Sequence, residues 1–215
     1  MNDYAPCAVF VEMGVPSSVC VVAVTKGRSF YEVEDLLKKG HRLFGENKIQ
    51  EIERKWPVLL QTYPEAQLQF IGRLQRNKVD VALSFCHSIA SIDRLSLVEK
   101  IAQKQESMPH TSIRTKEFLI QVKFGNELQK GGVSPGGLKA LLDACREAKN
   151  IPIHGLMTIP PAHRDPRPFF KELRALCDLY KLSVCSMGMS DDYKIAIEEG
   201  ATHVRLGRCL FERTD

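Results

Sequence analysis

One lysine stands where the chain could do covalent chemistry. The run Val-Cys-Val-Val-Ala-Val-Thr over positions 19–25 is apolar apart from its last residue and ends directly on Lys26. An ammonium at the exit of such a strand must be exposed, paired or neutral, because a lone buried charge is costly. Partial burial would lower its pKa, by up to about 3–5 units in the extreme. A neutral amine is suited to forming a Schiff base with an aldehyde. A surface lysine just past a strand would have the same local sequence.

Near the other end, Ser186-Met187-Gly188-Met189-Ser190 and Val204-Arg205-Leu206-Gly207-Arg208 put small residues, hydroxyls and guanidiniums where strands give way to helices. Such turns let backbone N–H groups approach an anion. The same residues would also serve as plain turns with Ser190 as an N-cap. Asp191 and Asp192 oppose an anion there unless they point to solvent.

Other chemistries find less support. The six histidines are dispersed, with no H-x-H or H-x-x-x-H pair to seed a metal site. Lys130-Gly131-Gly132 through Gly136-Gly137 lacks the G-K-[ST] of a phosphate loop, and there is no G-x-S-x-G element. Gln75-Arg76-Asn77-Lys78 reads as a helix start on the rim, without aromatic support for RNA beyond Phe70. Cys185 and Cys209 read as buried strand thiols rather than redox groups.

Eight short apolar runs position these residues: 19–25, 42–45, 69–72, 85–92, 117–124, 152–159, 183–189 and 203–207. Helical segments lie between them. Ser29 with Glu32 forms a capping box, and Ser134-Pro135 opens a helix with the stripe Leu138, Leu141, Leu142, Cys145. Phe169, Leu173, Leu176 and Tyr180 form a second stripe. Asp93 is expected to cap a helix bearing Val98 and Ile101, and Trp56-Pro57 to end or kink another early. The alternation defines one α/β domain over 19–215 after an N-terminal extension, 1–18. Either an open doubly wound sheet or a closed (β/α)8 barrel accommodates it. Lys26 and the C-terminal turns converge only if the first strand lies beside the eighth, as in a barrel. An amine facing an anion site in that way suits pyridoxal 5′-phosphate (PLP), with its aldehyde at one end and phosphate at the other.

Composition sets the background. The chain has 215 residues, 44% hydrophobic and 26% charged, which excludes a disordered or fibrous protein. A net charge of +4 suits anionic ligands but falls short of a nucleic-acid binder's basic stripe. Seven cysteines without a CxxC pair point to free thiols in a reducing compartment. No signal peptide or membrane span is indicated, so a cytoplasmic protein is expected.

Six segments together resemble the YggS/PROSC family of PLP-binding proteins. They are Val22–Lys26, Phe44-Gly45-Glu46-Asn47, Phe70–Lys78, Gly155–Pro160, Ser186–Asp191 and Val204–Gly207. The resemblance runs from about residue 19 to the end. It implies a single (β/α)8 TIM-type barrel of PLP fold-type III, similar to the N-terminal domain of alanine racemase and without its C-terminal β domain. By the same resemblance Lys26 holds PLP as a Schiff base, and Asn47 lies near the cofactor. Met189, Ser190, Arg205, Gly207 and Arg208 surround its phosphate and ring, and Lys130 with Gly132 forms a loop that brings a second lysine near. Lys48 stands where the family often has tyrosine, and Arg208 where it commonly has a hydroxyl residue.

The implied function is PLP homeostasis: a monomer that holds the cofactor and supplies PLP-dependent apoenzymes, with little or no catalysis. Racemisation needs a base on each face of the cofactor, and none of Tyr4, Tyr31, Tyr63, Tyr180 and Tyr193 falls at a strand exit. Arg205, if it faces the pyridine nitrogen, keeps that nitrogen unprotonated and weakens the ring as an electron sink. A low-activity PLP-dependent amino-acid racemase is the alternative.

Overall fold

Eight parallel strands close on themselves, which decides between the two architectures. The computed structural model describes residues 10, 12–125, 131–148 and 151–211. The strands are β1 (Cys20–Val24), β2 (Leu43–Glu46), β3 (Gln67–Phe70), β4 (Ser88–Ile92), β5 (Glu117–Val122), β6 (Ile153–Thr158), β7 (Val184–Ser186) and β8 (His203–Leu206). They pair in chain order, and β1 pairs β8 from Cys20↔His203 to Ala23↔Leu206. The helices between them are α1 (Phe30–Lys38), α2 (Ile49–Thr62), α3 (Val79–Phe85), α4 (Leu95–Ser107), α5 (Pro135–Glu147), α6 (Arg167–Leu179), α7 (Tyr193–Glu198) and a last turn, α8 (Arg208–Phe211).

Side chains alternate across each strand and make two cores. Ala90, Leu119 and Met157 pack inside the barrel with Ile71, Ile159 and Val184. The larger core lies between sheet and helices and includes Phe44, Trp56, Leu68, Phe70, Ile120 and Leu206. Ahead of β1, Phe10 and Val15 are buried against this outer layer.

Several local expectations shift. Strand β3 ends at Phe70, two residues before Gly72, because the chain leaves the ladder to approach β2. A Cβ at Gly72 would lie 2.1 Å from the Asn47 carbonyl oxygen. Phe85 belongs to α3, not β4, since Cys86 N–H closes that helix on Ala82. Gly207, Met189 and Phe124 follow their strands as exit-loop residues.

Helix α2 runs through Pro57 instead of ending there. Pro57 and Glu53 are both exposed, so the missing N–H leaves a carbonyl to water, while Ile52, Trp56 and Leu59 anchor the buried face. Asp93 does not cap α4. Its buried carboxylate pairs with Arg94, whose other nitrogen donates to Leu74 O at 2.8 Å. The α6 stripe is rotated by one residue, burying Phe170, Leu173 and Cys177. The capping box at Ser29 and the α5 stripe form as the sequence suggests.

Candidate functional site

The C-terminal ends of the strands carry a cavity of about 440 Å³. Closure of β8 on β1 puts Lys26 and the 204–208 segment on the same wall. Lys26, Asn47, Met189, Ser190, Arg205, Gly207 and Arg208 all line this one cavity. Lys130 lies outside the described residues, but its neighbour Gly131 reaches the cavity, where its carbonyl accepts from Gln121 Nε2 at 2.8 Å.

Lys26 follows Thr25 on a tight turn in which Arg28 N–H donates to Thr25 O at 3.1 Å and Gly27 takes φ +69°. Lys26 is exposed, because the turn stands at a cavity mouth open to solvent. Asn47 comes from the exit of β2. Its Oδ1 is buried without a partner among the described residues, an unusual state for a polar atom.

Arg205 is the buried charge of the site. It is 3% exposed, donates to Ser186 Oγ at 2.9 Å and to Thr158 O at 2.7 Å, and so bridges β8, β7 and β6. Burial pushes its guanidinium down to about 10, which leaves it a cation at neutral pH. On the rim, Arg208 pairs with Asp191. Asp192 is the residue preceding α7, so Ser190 is not that helix's N-cap. Asp192 Oδ1 instead accepts from Met189 N–H at 2.6 Å, and burial raises its pKa. Ser190 Oγ accepts a long bond, 3.5 Å, from Cys209 N–H.

Sequence reasoning assigned no role to Gln121, Arg73 or Ile159, which also line the cavity. Gln121 could have been found as a polar residue on an inward position of an apolar strand. Arg73 carries no such signal, since its place depends on the departure of the chain at Gly72. Cys185 is buried and faces the outer core, with Met187 Sδ at 3.6 Å, and is absent from the cavity wall.

The donor set fits PLP. The cavity offers an amine, a buried cation, a hydroxyl at Ser190 and a rim guanidinium, in a volume within the usual range for small-molecule sites. Among the described residues that line it there is no tyrosine and no histidine.

Fold and cavity together define a barrel of known kind. The family described as alanine racemase, N-terminal domain, matches residues 12–214, and the chain belongs to it. A protein of Aquifex aeolicus named pyridoxal phosphate homeostasis protein is 39% identical over 188 residues, covering 83% of this chain and 80% of its own. Another of that name, from Synechocystis, is 35% identical over 209 residues and covers 92% of both. The structure of PipY from Synechococcus elongatus PCC7942, solved with PLP bound, superposes with a TM-score of 0.83. It is 29% identical and covers 95% of this chain and 97% of its own.

Proposed function

We propose that the chain binds PLP as a Schiff base on Lys26 and serves PLP homeostasis, holding the cofactor and passing it to apoenzymes without efficient turnover. The observation that carries this reading is the shared cavity: the Lys26 amine, buried Arg205 and the Ser190–Arg208 rim meet on one wall through the β1–β8 closure. The names of the relatives and the PLP in PipY support it.

Each residue has a part. Lys26 holds the cofactor's aldehyde carbon. Ser190, Gly207 and Arg208 take its phosphate, with Arg208 exchanging Asp191 for the anion. Asn47 and Met189 flank it. Bound PLP supplies a carbonyl for the covalent link and a ring able to accept electrons, and Arg205 facing the ring nitrogen restrains the second property. Among the described residues, the wall has no tyrosine or histidine to serve as a second base for racemisation.

An absorption spectrum of the protein mixed with PLP, beside that of Lys26→Ala, tests the reading. A visible band is expected in the first and not in the second. Folded wild-type protein without the band would overturn it, as would amino-acid turnover that vanishes in the variant.

A further inference from the structure

The turn that presents Lys26 is open at its tip. A Cβ at Gly27 would meet nothing within 4 Å. What holds the turn lies on the other side of the sheet, in the outer core. There the Lys55 side chain, on α2, is 2% exposed and that of Glu46, on β2, is 0% exposed.

Lys55 Nζ contacts Glu46 Oε1 at 2.7 Å and Glu51 Oε2 at 2.9 Å, and it donates to the carbonyls of Thr25 at 2.8 Å and Arg28 at 3.2 Å. An ammonium has three N–H groups, so these acceptors leave no proton for water. Glu46 Oε1 also accepts from Thr25 Oγ1 at 2.7 Å, with Trp56 Nε1 at 3.5 Å. A buried ion pair gives little net stability over well-packed apolar side chains. Its presence among apolar neighbours therefore needs another account, and its geometry supplies one. The carbonyls taken by Lys55 are those of the residues on either side of Lys26 and Gly27, and Glu46 directly precedes Asn47.

We infer that Lys55 is a positioning residue for the cofactor amine. Through the Thr25 and Arg28 carbonyls it fixes the turn so that Lys26 faces the cavity, and through Glu46 it ties that turn to the β2 exit bearing Asn47. The inference rests on the reading of Lys26 as the amine that holds PLP. Lys55 touches neither the cavity nor its contents, and acts only through the backbone it holds.

The test is the double variant Lys55→Met, Glu46→Gln, which removes both charges and keeps an oxygen for the Thr25 hydroxyl, so that no charge is buried alone. Amide hydrogen exchange in the absence of PLP reads the turn directly. The Arg28 amide is expected to exchange at least about tenfold faster in the variant, with the strand amides of β1 unchanged. PLP affinity is expected to fall about 10- to 100-fold, as for other groups whose ligands lose their outer support. Lys55→Arg, which keeps the cation but moves its donors, should shift both readouts the same way and serves if the double variant does not fold. Unchanged exchange at Arg28 would overturn the inference, and so would faster exchange with unchanged PLP affinity. Borohydride reduction of the wild type separates the two claims: PLP trapped on another residue would overturn the role of Lys26, while exchange alone would still decide whether Lys55 holds the turn.

Discussion

Gly72 shows how a single absent side chain shapes the site. Its Cα faces the Asn47 backbone so closely that a methyl group would sit 2.1 Å from the Asn47 oxygen, with backbone atoms on the far side. Gly72→Ala should therefore destabilise the protein by about 1–3 kcal/mol, as overpacking generally does. It should also weaken PLP binding by displacing Asn47. Thermal unfolding and a PLP titration check both; wild-type values would mean that β3 can move away without consequence. Several contributors to the cavity were readable because each stands at or just beyond the C-terminal end of a strand in a short, distinctive segment. Asn47, Ser190 and Arg205 are of this sort. Lys55 was not readable: a lysine within an amphipathic helix next to Trp56 looks like a solvated residue until the helix rotation is known. Its partner Glu46 gave a faint signal, as a carboxylate ending an otherwise apolar strand.

At the scale of elements, α2 carries both Lys55 and Pro57, and its continuity through Pro57 keeps Trp56 and Leu59 in register with the sheet. Proline in a helix interior is about 3 kcal/mol less favourable than alanine. It also restricts the unfolded chain, which returns about 1 kcal/mol. Pro57→Ala is thus expected to stabilise the fold by roughly 1–2 kcal/mol, seen as a higher melting temperature with PLP binding unchanged. A lower melting temperature would mean that the helix is bent in a way its packing requires. Of the two expectations at Trp56-Pro57, an end or a kink, the end does not occur: propensity is local, whereas the buried stripe on either side of Pro57 draws its stability from tertiary contact. The same holds for Asp93. Its type and position suit an N-cap, but its carboxylate pairs instead with Arg94, which is itself held by a bond donated to the Leu74 carbonyl. The capping box of α1, and the agreeing cap and stripe of α5, were read as they stand.

For the whole molecule, barrel closure is the consequential feature, since it alone brings residues 26 and 205 to one wall. The sequence pointed to it only indirectly, through the need for the two ends to meet and through the family resemblance. What it concealed was burial between elements. His41 joins α1 to β2 and is 8% exposed, its ring set edge-on to Phe10 and Phe44 and its Nε2 within 2.6 Å of Leu43 O. Burial pushes it down from 6.5 to about 4, and His203 likewise. At a pH between these values the unfolded chain takes up a proton that the folded one refuses. Stability is therefore full above about 6.5 and is lost as pH falls toward 4. From His41 alone the loss between pH 7 and pH 5 is about 2 kcal/mol. Urea unfolding at the two pH values measures it, and His41→Phe should reduce the difference by about that amount, leaving the part due to His203. Equal wild-type stability at both would contradict the burial of a neutral imidazole.

The central claim is that the amine of Lys26 holds the cofactor, and reductive trapping tests it most directly. The protein is incubated with PLP, reduced with borohydride, digested, and its peptides mapped by mass. The account predicts one modified peptide, carrying the reduced adduct on Lys26, and none in Lys26→Ala. Modification of another lysine with Lys26 untouched, or none at all in folded protein that still binds PLP, would contradict it.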